Sequence, residues 1–102
     1  CNTTGAANTA VGFNSQYYNT TGKHNSSLGS SSLCTNTSGS CNVAFGLNSL
    51  RDNTIGCRNV SIGYESMREN KTGIYNTAVG FQTLTSNTTG CCNVAVGATS
   101  LW

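Results

Sequence analysis

The sequence predicts an all-β fold, a parallel β-solenoid (β-roll) of six 17-residue rungs. Three observations predict it. The motif Asn76-Thr77-Ala78-Val79-Gly80 returns as Asn8 to Gly12, Asn42 to Gly46, Asn59 to Gly63 and Asn93 to Gly97, with a degraded copy at Asn25 to Gly29. The copies lie 17 residues apart without a slip, and a fixed short period marks an array of stacked units. Finally, Ser, Thr, Asn and Gly dominate a chain with no proline and eight charged residues. Large aliphatics are too few for a multilayer core and suffice only for a thin one repeated along an axis.

Numbered from an asparagine, the rungs are 2–18, 19–35, 36–52, 53–69, 70–86 and 87–102, with Cys1 as the end of a preceding unit. Together they form a single repeat domain over 1–102, with no cap or second domain expected. The chain opens on Cys1 rather than Met and shows no signal peptide, so a mature product or an excerpt of a longer array is expected.

Each element of a rung has its own reason. Place one is asparagine in every rung (Asn2, Asn19, Asn36, Asn53, Asn70, Asn87), and place four is glycine, a pairing that suits a turn. Places eight and ten carry Val, Thr, Ile, Phe, Leu or Ser around a place nine that is always Ala or Ser. That period-two alternation reads as a strand. It predicts an interior column at place ten: Val11, Leu28, Phe45, Ile62, Val79 and Val96. Place eleven is glycine and turns a corner. Place fifteen is expected to lie on a second short strand and return Leu33, Leu50, Met67, Leu84 and Leu101 to the core, with Gln16 breaking the column. A helix is excluded, since each interior glycine costs it about 1 kcal/mol with no apolar face to compensate. Rungs stacked about 4.8 Å apart would span roughly 29 Å. The serine-rich second rung (Ser26, Ser27, Ser30, Ser31, Ser32) is expected to be the loose one.

The run Asn-Thr-Thr-Gly-x-x-Asn-Thr-Ala-Val-Gly-x-x-Ser-Leu, seen in Asn2 to Gly5, Asn76 to Gly80, Asn87 to Gly90 and Asn93 to Gly97, resembles the head repeats of trimeric autotransporter adhesins. It is similar, too, to repeats in viral fibres and tail spikes and in bacterial surface proteins. The resemblance covers every rung. It implies a left-handed roll, three chains side by side, and service as a rigid stalk or adhesive head.

Chemistry is sparse. Asn2, Asn19, Asn36, Asn70 and Asn87 each open Asn-x-Thr or Asn-x-Ser, the acceptor pattern for N-linked glycans on an exposed turn. The competing reading makes them turn residues. Asn25 and Asn59 also begin sequons and are expected to form an amide ladder along the stack. Six cysteines point to an oxidising, extracellular or cell- or virion-surface setting. Cys41 and Cys57 would be neighbours on adjacent rungs within disulfide reach. Cys34 and Cys41 flank one turn and compete as a pair. Adjacent Cys91 and Cys92 are expected to bond elsewhere, and with Cys1 they would suit bonds between chains. A zinc site from His24, Cys41 and Cys57 lacks a Cys-x-x-Cys and a second histidine.

One histidine and three carboxylates give no catalytic constellation, and no cofactor is expected. Asp52 and Glu69, beside Arg51 and Arg68, would stack into a solvated salt-bridge patch. Phe13, Tyr64 and Phe81 at place twelve would pack against an edge or a neighbouring chain sooner than against sugars. With a net charge of +2 and no basic stripe, nucleic acid is not an expected partner. No apolar run approaches the roughly 20 residues needed to span a bilayer. Ice binding would need Thr-x-Thr on a flat strand, whereas Thr3, Thr20, Thr37, Thr54 and Thr88 lie in turns.

The expected function is therefore structural: a segment of an extracellular fibre whose partner is itself, as an end-to-end filament or a side-by-side trimer. The alternative is an adhesin head or receptor-binding spike module that binds a host surface or glycans.

Overall fold

A computed structural model describes residues 3–100. Six three-residue strands form one parallel sheet in chain order: β1 (Thr9–Val11), β2 (Ser26–Leu28), β3 (Val43–Phe45), β4 (Val60–Ile62), β5 (Thr77–Val79) and β6 (Val94–Val96). Each residue pairs with the one 17 further on, as in Val43 with Val60, Ala44 with Ser61 and Phe45 with Ile62. The sequence period thus becomes the sheet register, and the chain winds a β-solenoid of about five turns.

Among the described residues each rung carries one strand, not two. The expected second strand is a left-handed arc: φ is +59° at Asn48 and +51° at Leu50, and the same two places turn this way wherever the residue is described. Positive φ at leucine is uncommon. Here the neighbouring rung holds it, because Leu50 N donates to Ser66 O at 3.0 Å. The arc turns place fifteen inward, and Leu33, Leu50, Met67 and Leu84 are buried. Leu101 lies outside the described residues.

The place-ten column is a correction. Phe45 and Ile62 are 39% and 38% exposed, whereas Ala44 and Ala78 are fully buried. Val11, Leu28 and Val96 are exposed as well, and Val79 is half-buried. The strand alternation is real but faces the other way, and the reason is the width of the interior. Ser49 Oγ on the arc meets Ser61 Oγ on β4 at 2.7 Å, and Ser66 Oγ donates to the carbonyl of Ala78 at 3.3 Å. One hydroxyl bridges the two walls, so only Ala or Ser fits at place nine. Period-two geometry then sends the branched neighbours outward.

The serine-rich second rung keeps the common register. Its hydroxyls replace missing apolar contacts with bonds: Ser27 Oγ meets Ser15 Oγ at 2.5 Å, and Ser32 Oγ meets Ser15 Oγ at 3.2 Å. Gln16 fills its place inside, where Nε2 donates to Thr9 O and to Ser27 Oγ, both at 2.9 Å. A buried amide with partners costs far less than one without.

Glycine at place eleven is required by both conformation and space. Gly80 has φ +132°, and a Cβ there would sit 2.6 Å from the carbonyl oxygen of Gly97. The stacked corners approach so closely that no side chain fits between them.

Candidate functional site

The two asparagine columns are interior. Asn36 Nδ2 donates to Asn19 Oδ1 at 2.8 Å, and Asn53 Nδ2 donates to Asn36 Oδ1 at 2.8 Å. Asn70 and Asn87 continue the column at 2.9 Å per step. Each of these amides also donates to the glycine carbonyl three residues on, as Asn36 does to Gly39 at 2.9 Å. The place-seven asparagines brace the backbone of the neighbouring turns: Asn42 N donates to Asn25 Oδ1 at 3.0 Å, and Asn42 Nδ2 to Gly56 O at 2.8 Å.

These bonds bear on the glycosylation reading. Asn19, Asn36 and Asn70 are at most 1% exposed, and the Nδ2 that a glycan would occupy is spent in the ladder. Asn87 is half-buried with its Nδ2 bonded to Asn70 and Gly90. Asn2 lies outside the described residues. The turn reading of these positions describes the geometry.

One apolar surface lies on the outward face of the sheet, while Tyr17, Tyr18, Ile55, Ile74 and Tyr75 are exposed outside the strands. Val11, Leu28, Phe45, Ile62 and Val96 stand along it, and Val94 is 71% exposed beside them. Past the glycine corner, Phe13, Leu47, Tyr64 and Phe81 are exposed as well. Tyr64 and Phe81 stack on each other with centroids 5.1 Å apart and planes 9° apart. No charged residue occupies places eight, ten or twelve.

Charges collect on the arc instead. Arg51 Nε meets Asp52 Oδ1 at 2.9 Å, Arg68 Nη2 meets Glu69 Oε1 at 2.9 Å, and Arg68 Nη1 reaches Glu65 Oε2 at 3.3 Å. These pairs close within a rung; the expected patch alternating between rungs is not how they form. Gln82 Nε2 donates to Glu65 Oε2 at 3.0 Å. That bond, ahead of Arg68, holds the Glu65 carboxyl below its ordinary range. A third cation, Arg58, lies 5.5 Å over the ring of Tyr75.

The five described cysteines are free thiols. Burial pushes the Cys34 thiol up. Cys57 Sγ accepts from Ser40 N at 3.4 Å, one residue from Cys41. Cys92 Sγ donates to Cys91 Sγ at 2.9 Å. Cys1 lies outside the described residues. Among the described residues no three metal-ligating side chains gather, and no helix is long and apolar enough to cross a membrane.

No family model, no curated protein and no solved structure matches the chain.

The sequence did contain a signal for the outward face. An unbroken column of Ala and Ser at place nine, opposite Ser or Thr at place fourteen, fits only a narrow interior. The branched residues on either side of it then have nowhere to go but out.

Proposed function

We propose that the chain is a structural segment of an extracellular fibre, and that copies pack side by side through the outward face of the sheet. The observation that carries this reading is the uncharged apolar face running the length of the solenoid. Six large residues on it, Val11, Leu28, Phe45, Ile62, Val94 and Val96, are each 38–71% exposed. A contiguous row of exposed apolar side chains rimmed by polar residues marks an interaction surface.

A second copy is the occupant that fits. Side chains repeat along the face at the rung spacing of about 4.8 Å, and only another array with the same rise stays in step with it from end to end. The extracellular setting rests on the low charge, the Asn, Ser and Thr content and the six cysteines. Glycans form no part of this reading, because the ladder occupies the acceptor nitrogens.

The test is the oligomeric state. Sedimentation equilibrium is expected to give a defined homo-oligomer. The double variant Phe45→Lys, Ile62→Lys is expected to be monomeric with an unchanged far-UV spectrum, since both side chains are outside the rung. A wild-type chain that stays monomeric at every concentration would sink the reading.

One observation favours the adhesin alternative. The stacked Tyr64 and Phe81 remain 41% and 50% exposed, and aromatic faces of this kind take sugar rings. Glycan-array binding that vanishes in Tyr64→Ala, while the oligomer persists, would move the assignment to that class.

A further inference from the structure

Cys91 and Cys92 stand apart from the other cysteines. They occupy places five and six of the last described turn, both exposed, with Sγ atoms 2.9 Å apart. Two adjacent cysteines do not bring their sulfurs together by default, and here the backbone arranges it. Cys92 has φ +63°, and the equivalent residue is left-handed in every described rung: +57° at His24, +60° at Cys41, +57° at Arg58 and +57° at Tyr75. Cys92 N donates to Ile74 O at 3.1 Å, which ties that conformation to the turn below. The solenoid fixes the corner, and the corner presents two thiols to each other.

We propose that Cys91 and Cys92 form a built-in dithiol modification site that closes into a vicinal disulfide ring on reaction with a small-molecule disulfide. The Sγ–Sγ contact puts each thiol within reach of the other. One of the two, as thiolate, attacks one sulfur of the oxidant; the oxidant's S–S bond breaks and one small thiolate leaves. The other then loses its proton to solvent and attacks the Sγ that carries the mixed disulfide, forming the ring and expelling the second small thiolate. The oxidant gains two electrons and the protein loses two. The closed ring leaves no thiol at this corner for a bond to a second chain, so association would not be cross-linked there. This site is independent of the sheet-face interface and stands or falls apart from it.

Oxidised glutathione acting on the full folded chain tests it. Trypsin cleavage after Lys71 releases residues 72–102, in which Cys91 and Cys92 are the only cysteines. The expected product is that peptide lighter by two hydrogens, resistant to alkylation until reduced. A glutathionylated peptide, a peptide linked to Cys34, Cys41 or Cys57, or two thiols still open to alkylation would each overturn the proposal. Two variants test the two-step exchange. Cys92→Ser and Cys91→Ser are each expected to trap a mixed disulfide on the remaining thiol. A variant that stays fully reduced under the same conditions overturns the exchange.

Discussion

Asn53 Nδ2 donates to Asn36 Oδ1 at 2.8 Å, one whole turn away, and Asn53 Oδ1 accepts from Asn70 Nδ2 at 2.9 Å on the other side. A side chain that looks like a turn former in the sequence is thus the link between three consecutive rungs. Because each amide both donates and accepts, the column has a polarity, and no member can be removed without stranding its neighbours.

Asn53→Ala is expected to lose about 3 kcal/mol of stability, since it removes buried bonds and leaves Asn36 Oδ1 without its donor and Asn70 Nδ2 with only its bond to Gly73 O, an unsatisfied buried group costing about 1–3 kcal/mol. Chemical denaturation of the variant checks this. Thr37→Ala is the control: its exposed hydroxyl reaches Thr54 O at 3.3 Å, and its loss is expected to cost less than about 0.5 kcal/mol. Equal effects would mean that the ladder is not holding the stack.

Two glycines separate backbone strain from contact. Gly97 has φ +121° with nothing within 4 Å of an added Cβ among the described residues, whereas Gly80 at φ +132° faces Gly97 O at 2.6 Å. Gly97→Ala is expected to cost about 1–3 kcal/mol from conformation alone. Gly80→Ala adds a clash with backbone and is expected to lower the melting temperature by clearly more. Matching melting temperatures would contradict the stacking geometry.

Ala78→Leu is expected to disrupt the monomer, because place nine faces a wall one hydroxyl bridge away. Overpacking costs about 1–3 kcal/mol in cores that can relax, and two stacked backbones leave little to relax. Val79→Leu, one residue along on the outward face, is expected to leave thermal stability within about 0.5 kcal/mol. Comparing the two melting curves decides which residue is inside.

Glu65 gives the stack a sensitivity to acid. Its carboxyl is held low by Gln82 and then Arg68, so it binds a proton less readily folded than unfolded. The associated stability is present above the ordinary glutamate range, near pH 4.3. It is lost as pH falls through the lower, folded value. Melting temperature measured from pH 6 downward is expected to drop less in Glu65→Gln than in the unmodified chain; parallel curves would exclude the contribution.

The sequence by itself determined the period and with it the architecture. Seventeen-residue spacing dictates that Val43 meets Val60 and Ala44 meets Ser61, and invariant glycines place the corners. The leucine-type column at place fifteen was legible too, although its backbone is a left-handed arc and not a strand. Alternation by itself did not decide which side of the strand is inside; the small residue at place nine was the one hint, and the tertiary structure decided it. Alternation is symmetric: it separates Val79 from Ala78 without saying which one meets the core. The distance between the walls breaks that symmetry, and it is set by the hydroxyl of Ser49 against Ser61 and of Ser66 against the Ala78 carbonyl. The same narrow interior draws the place-one asparagines in, turning apparent glycan acceptors into a ladder. It leaves the branched and aromatic residues facing outward, where the proposed contacts with a second copy would form.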